Sequence, residues 1–436
     1  MPNFTIITLG CKVNQYESAG LEESLKSSGW KKTGREEPVD LFVINTCTVT
    51  GKASMQARQT IRRAIRENPH ARIVVTGCYA QTEPEALEKI EGVEAVIGHA
   101  DKHNIPELIN NSIQSPLSGL SSIHKDIRRE KKFSALPVSE FDGRTRPFLK
   151  IQDGCDAFCS YCIVPHARGH SRSLPADRVL ANLLRYNATG YLEVVLTGIH
   201  LGCYGRDLSP PTDLLSLLER IDASDFHGRI RLSSIEPLEL SDEIIQLVGS
   251  SDKFCHHFHI PLQSGDDLIL KRMKRPYRSE RFINRVSEII RIIPDAAIGV
   301  DTLIGFPGES RAAFENTAAL IRQLPVAYLH VFPFSPRKGT PACNYPQQVS
   351  ADISKSRCKN MRDLGRLKKE SFYRKAEGSR ADILVESQRD PATGLLKGLT
   401  SNYIPVLLDG SDSLKEKFVN VTIDVIDNKL NVFGKL

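Results

Sequence analysis

Between Phe148 and Phe332 the chain alternates six short β-type runs with helical segments, a pattern that packs as parallel strands covered by helices. The runs are Phe148 to Asp153, Glu193 to Thr197, Arg229 to Ser234, His257 to Leu262, Ala297 to Leu303 and Tyr328 to Phe332. Helical patterns at Ala176 to Tyr186, Asp213 to Ile221, Asp267 to Met273, Glu280 to Ile292 and Ser310 to Leu324 separate them. Six such units predict a partial TIM-like barrel, open on one side, with its chemistry at the C-terminal ends of the strands. The loop after the first strand carries Cys155, Cys159 and Cys162 at CxxxCxxC spacing.

Three thiolates on one short loop can hold three irons of a 4Fe-4S cube. No fourth cysteine follows at ferredoxin spacing, so one iron keeps an open position. A zinc site is the plainer alternative, but zinc knuckles pair CxxC with a second CxxC or HxxxH element, and none follows at the usual spacing.

The first hundred residues show a second alternation, with β-type runs at Phe4 to Leu9, Leu41 to Thr46, Arg72 to Thr76 and Val93 to Gly98 and helical patterns at Ser18 to Ser27 and Ala53 to Glu67. This predicts a parallel, doubly wound sheet, whose ligands bind beyond the carboxyl ends of the strands. Cys11, Cys47 and Cys78 each follow one of the first three of these strands. Any one alone reads as a buried, inert cysteine. Three at the same end of successive strands are placed to ligate a second cluster, and an odd number does not close into disulfides.

The chain of 436 residues, 40% hydrophobic and 25% charged, has room for two or three globular domains. Its ten cysteines are too sparse for a secreted disulfide scaffold. The N-terminus lacks the basic region and apolar length of a signal peptide, and no stretch is apolar for long enough to span a bilayer. A cytoplasmic, soluble protein with no membrane partner is expected. Boundaries are drawn at 1–115 for the first α/β domain, 116–145 for a polar linker containing Asn110-Asn111-Ser112 at its approach, 146–369 for the barrel and 370–436 for a small all-β barrel. That last region has short runs at Ala381 to Glu386, Leu395 to Leu399, Ile404 to Leu408, Phe418 to Val425 and Lys429 to Phe433.

Net charge is +6, and its distribution carries more information than the sum. Nine Lys or Arg fall between Lys355 and Lys375 against Asp363 and Glu370, with Ile353, Met361, Leu364 and Leu367 as an apolar stripe beneath. Clusters at Arg58-Arg62-Arg63-Arg66 and Lys271-Arg272-Lys274-Arg275-Arg278 add to a polyanion-binding character. The C-terminal barrel is nearly balanced in charge, and Tyr403 is its candidate aromatic for stacking on RNA.

The CxxxCxxC loop, with Tyr161 before its last cysteine, resembles that of radical S-adenosylmethionine (SAM) enzymes. The order of cysteine-bearing α/β domain, barrel and final β-barrel resembles the radical SAM methylthiotransferases across nearly the whole chain, the last domain matching their TRAM domain. Thr8-Leu-Gly-Cys-Lys-Val-Asn-Gln-Tyr-Glu-Ser18, Asn45-Thr-Cys-Thr-Val-Thr50, His259-Ile-Pro-Leu-Gln-Ser-Gly-Asp266 and His330-Val-Phe-Pro-Phe-Ser335 look most like the branch acting on threonylcarbamoyladenosine in tRNA, with Lys12-Val13 as one of the distinguishing positions.

The resemblance implies replacement of the C2 hydrogen of N6-threonylcarbamoyladenosine, next to the anticodon, by a methylthio group. It further implies two 4Fe-4S clusters and SAM as cofactors, tRNA as substrate, a flavodoxin- or ferredoxin-type electron donor and a sulfur donor that stays unnamed. SAM would first methylate a sulfur held at Cys11/Cys47/Cys78, and a second SAM at Cys155/Cys159/Cys162 would then be cleaved to activate the base. Tyr161, Thr197, Gly198, Glu236, Gln263 and Arg275 are the implied SAM-facing residues, with Glu236 toward the ribose and Arg275 toward the methionine carboxylate. Gly305 and Gly308 read equally well as turn glycines. Relatives commonly carry a second arginine where this chain has Leu174, after Arg168-Gly169 and Arg172. His166 and His170 read as surface or hydrogen-bonding groups, because radical abstraction needs no histidine base. Rival readings are action on isopentenyladenosine or on a ribosomal-protein aspartate, or a noncatalytic iron-sulfur RNA-binding protein.

Overall fold

The structure is a computed structural model and describes residues 1–34, 37–111 and 123–436. Ser112 and residues 116–122 of the expected linker lie outside the described residues. The first unit contains β1 (Asn3–Thr8), α1 (Lys12–Ser27), β2 (Lys31–Lys32), β3 (Leu41–Thr46), α2 (Gly51–Glu67), β4 (Arg72–Gly77), α3 (Cys78–Thr82), α4 (Pro84–Glu88), β5 (Ala95–Ile97) and α5 (Ile105–Asn111). The strands form one parallel sheet in the order β2-β1-β3-β4-β5. Alternation sends Phe4, Leu41, Val43 and Val74 to one face, against Leu21 and Leu25 of α1 and Ile105 of α5. Ile7, Phe42, Ile44 and Val75 go to the other, against Ala57, Ile61 and Ala64 of α2. Thr8 pairs with Asn45, and Thr46 with Gly77, so the three cysteine-bearing turns leave the sheet at the same end.

The barrel comprises β6 (Phe148–Lys150), β7 (Gln152–Asp153), α6 (Val164–Arg168), β8 (Arg172–Ser173), α7 (Ala176–Ala188), β9 (Glu193–Thr197), α8 (Leu214–Asp222), β10 (Arg229–Leu232), α9 (Asp242–Ser250), β11 (His257–Gln263), α10 (Asp267–Arg272), α11 (Ser279–Ile292), β12 (Ala297–Ile304), α12 (Arg311–Gln323), β13 (Tyr328–Pro333) and α13 (Ala351–Lys375). Two parallel sheets, β10-β9-β6 and β11-β12-β13, are joined by the bridges Ile230–Phe254 and Ser234–His259. β6 and β13 are left as edges on either side of an open seam. Ile260, Leu262, Ile298 and Val300 face the helices in the main core. The alternate positions of β9 to β12 place Glu193, Arg231, His257, His259 and Asp301 on the inner face.

The helix α13 runs unbroken through residues 369 and 370 into the C-terminal region, packing along β13 on the way. Of its expected stripe, Met361 is buried, but Ile353 is 48% and Leu367 58% exposed, and Cys358, Gly365 and Tyr373 are buried instead. A helix of this length outruns the single edge strand beneath it. Beyond α13, β14 (Arg380–Val385), β15 (Leu396–Thr400), β16 (Pro405–Leu408), β17 (Phe418–Ile426) and β18 (Val432–Lys435) close a barrel in the order β14-β15-β16-β18-β17. Among the described residues no helix is long and apolar enough to cross a membrane.

The small barrel is anchored to the N-terminal ends of the larger barrel's strands. Arg229 donates to the carbonyls of Asp382 and Leu399, and Arg231 to those of Thr400 and Ser401. Both arginines also donate to Glu193 at 2.8 Å. Tyr403, the candidate aromatic for RNA, packs against the larger barrel and stays 38% exposed. Its ring centroid lies 4.4 Å from that of His257, and the Arg231 guanidinium sits 5.2 Å over it.

Burial pushes the Glu193 carboxyl up, but Arg231 and Arg229 more than offset it and leave the pKa at about 2, below the ordinary 4.5. A folded-state pKa that is depressed contributes stability above pH 4.5 that is lost as pH falls toward 2. Thermal unfolding followed by circular dichroism should therefore show a steeper acid loss over that window for the wild type than for Glu193→Gln; equal slopes would show that Glu193 contributes no pH-dependent anchoring.

Candidate active site

The CxxxCxxC loop is fixed mainly by its own backbone. Gly154 has φ +74°, and a β-carbon there would fall 1.9 Å from the His170 carbonyl oxygen, so the turn into Cys155 requires glycine. The Cys155 N–H donates to the Gly169 carbonyl, that of Ser160 to Met273, and that of Cys162 to Cys159, each at 3.0 Å. The Ser160 hydroxyl donates to the Arg272 carbonyl at 2.8 Å. Cys159 is buried, whereas Cys155 and Cys162 are partly exposed. Burial of its sulfur pushes the Cys162 thiol up to about 12.

Side chains from later strands surround these sulfurs. Arg275 donates to Cys159 Sγ at 3.5 Å, to Tyr277 Oη at 3.0 Å, and to Glu236. Glu236 and Arg275, expected at opposite ends of SAM, thus pair with each other. Burial raises the Glu236 carboxyl, with Arg275 opposing. Tyr161 packs edge-on against Phe306. Thr197 is buried at the end of β9, and the turn after it is organised by Gln152, whose Oε1 accepts from the N–H groups of Ile199 and His200 at 2.9 and 2.7 Å. Gln263 ends β11 with φ +65°. Arg172 donates to the Arg168 carbonyl, and Leu174 is buried in the barrel core. His170 is at the surface beside Asp156, and His166 meets the exposed Phe158 edge-on.

Sequence reasoning did not single out His200. Its Nδ1 is 3.4 Å from Cys155 Sγ and 3.5 Å from Cys203 Sγ, and its Nε2 is 2.8 Å from Glu239 Oε2. Its position directly after the Thr197-Gly198 turn was the available signal.

The second triad forms where the strand ends converge. Cys11 is exposed at the N-cap of α1, while Cys47 and Cys78 are buried. Gly77 has φ +99°, and a β-carbon on it would lie 2.4 Å from the Thr46 carbonyl oxygen, so only glycine lets the chain enter Cys78 so close to the Cys47 turn. Asn14 Nδ2 donates to the carbonyls of Leu9 and Thr46, and Asn45 Nδ2 to the carbonyl of Asn14, tying the Cys11 and Cys47 turns together. Burial pushes the Cys78 thiol up to about 12, and the charges of Cys47 and Cys11 act in the same direction.

One buried polar network joins the two triads. Arg168, at the end of α6 beyond Cys162, donates to Glu17 Oε1 and Asp153 Oδ1 at 2.9 Å and to Asn14 Oδ1 at 2.5 Å. Lys150 donates to Glu17 and Asp153 at 3.1 Å, and Lys102 to Glu17 at 2.6 Å and to Asn45 at 3.2 Å. Every member is buried. Glu17 and Asp153 face Arg168, Lys150 and Lys102, with Arg172 3.9 Å from Asp153 as a fourth cation, so positive charge is in excess beside the cysteine turns. Against the burial that would raise it, Glu17 is held well below the usual carboxylate range by Arg168, Lys102 and Lys150.

Neither triad is shaped for a single ion. Among the described residues, the groups of three potential ligands with all atoms within 4.8 Å of one another are His200/Cys203/Glu239 and His259/Asp301/His330. Zinc–sulfur bonds of about 2.3 Å confine the sulfurs of one ion to about 4.6 Å of each other. The cysteine triads are more open and fit a multi-iron cluster, where each sulfur binds a different iron.

The comparisons with known proteins agree with this architecture. Residues 3–98 match the model described as "Uncharacterized protein family UPF0004", and residues 149–321 match the Radical SAM superfamily. The chain is 38% identical over 95% of its length to a threonylcarbamoyladenosine tRNA methylthiotransferase MtaB from Bacillus subtilis (strain 168), covering 92% of that protein. It is 34% identical over 97% of its length to a tRNA-2-methylthio-N(6)-dimethylallyladenosine synthase from Pelotomaculum thermopropionicum, covering 95% of it. Among solved structures, the radical SAM methyltransferase TsrM from Kitasatospora setae superposes with a TM-score of 0.55 at 16% identity, covering 79% of this chain and 77% of that one, a likeness of fold. With both cysteine triads in place and this identity sustained over nearly its whole length, the chain belongs to the radical SAM methylthiotransferase family.

Proposed function

We propose that the protein is a tRNA methylthiotransferase that replaces the C2 hydrogen of N6-threonylcarbamoyladenosine, beside the anticodon, with a methylthio group. The observation that carries this reading is the buried Arg168–Glu17–Asp153 network, which ties the helix that begins after Cys11 to both ends of the CxxxCxxC segment. A methylthio group delivered from one centre to a base activated at the other requires both to reach one substrate position. The names of the relatives supply the substrate class.

In this reading Cys155, Cys159 and Cys162 hold the 4Fe-4S cluster that binds SAM, and Cys11, Cys47 and Cys78 hold a second. Bound there, such a cluster would supply the electron for cleaving a C–S bond of SAM, giving the radical reactivity toward an aromatic C–H that no protein side chain offers. The protein's own groups tune and position. Arg275 and His200 stand within hydrogen-bonding reach of Cys159 and Cys155 sulfur, contacts that would tune the potential of a cluster held there. Tyr161, Thr197, Gly198, Glu236, Gln263 and Arg275 form the wall facing SAM. Lys355, Lys359, Arg362 and Arg366 are exposed along α13 beside the seam and supply phosphate-binding charge for tRNA. A flavodoxin- or ferredoxin-type donor and a cytoplasmic location accord with this chemistry.

Mass spectrometry of tRNA nucleosides from cells with and without the gene tests the reading. Loss of 2-methylthio-N6-threonylcarbamoyladenosine with accumulation of its precursor is expected. Loss of a different methylthio nucleoside would move the protein to another branch, and no change in any would overturn the tRNA reading. In the purified protein, Cys11→Ala, Cys47→Ala or Cys78→Ala should each lower iron content by about one cluster, since the affinity resides in the thiolates. SAM cleavage should persist without methylthio product; full iron in all three variants would refute the second site.

A further inference from the structure

The foot of the barrel seam, between β6 and β13, opens into a recess of about 390 Å³ lined by Arg146, Tyr328, His330, Lys369, Lys397 and Tyr403, among others. Tyr328, His330 and Phe332 occupy alternate positions of the edge strand β13 and so form a row along one face, with successive centroids 5.3 and 6.3 Å apart. Phe332 is 44% exposed. Tyr328 lies flat over Gly299, where a β-carbon would come within 2.1 Å of its ring. Its hydroxyl is 2.8 Å from His257 Nε2, while His257 Nδ1 is buried with no hydrogen-bond partner.

The carboxylates around this recess are already engaged. Asp301 Oδ1 lies 2.9 Å from His259 Nε2 and 3.2 Å from His330 Nδ1, and Glu193 is held by Arg229 and Arg231. Glu386 accepts from Arg146 Nη2 at 2.7 Å and lies 3.5 Å from Lys397; Arg146 Nε is also 4.0 Å from Glu193 Oε1, while its Nη1 is buried without a partner. Lys12 is in electrostatic range of Arg146, Arg231 and His257, and among the described residues no carboxylate stands within ion-pair distance of it. It also directly follows Cys11, which places this charge between the second triad and the barrel.

We propose that this recess, with the β13 row that runs on from it to Phe332, is the specificity subsite for an anionic N6-substituent of the substrate adenosine, Arg146 within the recess and Lys12 beside it binding the carboxylate and the Tyr328–His330–Phe332 row stacking on the planar part. The assignment rests on the reading of the substrate as N6-threonylcarbamoyladenosine, whose threonyl group carries that carboxylate. An isopentenyl group is apolar and would cover these cations without pairing them, a desolvation cost that discriminates against it. Stacking on aromatic side chains is the usual way an unpaired base is held.

The test is steady-state kinetics on two tRNAs, one bearing N6-threonylcarbamoyladenosine and one bearing the corresponding carboxamide. For the wild type, the carboxamide should raise KM roughly 10- to 100-fold, the range for a hydrogen bond to a charged group. Lys12→Gln and Arg146→Gln should raise KM for the carboxylate substrate by a similar factor and become nearly indifferent to the exchange, with Lys12→Arg restoring much of the discrimination. Iron content and thermal midpoint are measured on the same samples to separate substrate binding from damage to the fold. If neither glutamine variant changes KM, or if each raises it equally for both substrates, the subsite is refuted. If the wild type leaves the carboxylate tRNA unmodified and acts on isopentenyladenosine tRNA, it is the substrate reading that fails.

Discussion

Replacing Cys159 by alanine is expected to abolish reductive SAM cleavage, bringing 5′-deoxyadenosine to the level of a no-enzyme control while iron bound at Cys11, Cys47 and Cys78 remains. Cys159 is the buried member of its triad, at the centre of a loop pinned by backbone bonds to Met273 and Gly169. With two thiolates left, the loop cannot complete a three-cysteine site. Another thiol, Cys203, shares the His200 Nδ1 contact with Cys155, at 3.5 Å, and lies 3.4 Å from Glu239 Oε1. Anaerobic iron determination and chromatography of 5′-deoxyadenosine read both halves of the prediction. Cys159→Ala/Cys203→Ala, compared with the single variant, detects any substitution of one sulfur for the other. Undiminished 5′-deoxyadenosine would sink the assignment of this loop.

Glu17→Ala should destabilise the protein by about 3–5 kcal/mol, the cost of breaking a buried ion-pair network from one side. Its carboxylate accepts from Arg168, Lys150 and Lys102, and its removal leaves three buried cations with Asp153 as their one carboxylate. Glu17 lies on the first turns of α1, so the same loss releases Cys11 from its alignment with the CxxxCxxC loop. Urea unfolding should show the lower midpoint. Where the variant is still folded, SAM cleavage should outlast methylthio transfer, because the first needs one triad and the second needs both. An unfolding midpoint equal to that of the wild type would show that the network does not hold the domains together. Glu17→Gln keeps the shape without the charge and should fall between the two.

The cysteines were legible because their meaning is local. Cys155, Cys159 and Cys162 declare themselves by spacing within eight residues, and Cys11, Cys47 and Cys78 by each following a β-type run. Strand positions were legible for the same reason, since a period of two is written into each short segment. An aromatic residue on a small β-barrel has the same local signature whether it meets RNA or protein, and only the tertiary structure shows Arg231 and His257 against the partly exposed ring of Tyr403. Ile353 and Leu367 misled because periodicity marks the face of a helix that can be buried, without saying how far its partner extends.

Sequence by itself determined the three regions, the parallel order of the first two, the placing of the two cysteine triads at strand ends and the family. Tertiary structure decided how the triads meet. Arg168 and Glu17 are 151 residues apart, and Arg337, which donates to Thr48 Oγ1 at 2.5 Å, is 289 residues from it. Periodicity and motif spacing are set by neighbouring residues and survive in the unfolded chain. Pairing between distant charges exists only once folding has removed water from around them, and so does the gathering of Lys12, Arg146 and the β13 aromatic row at one seam.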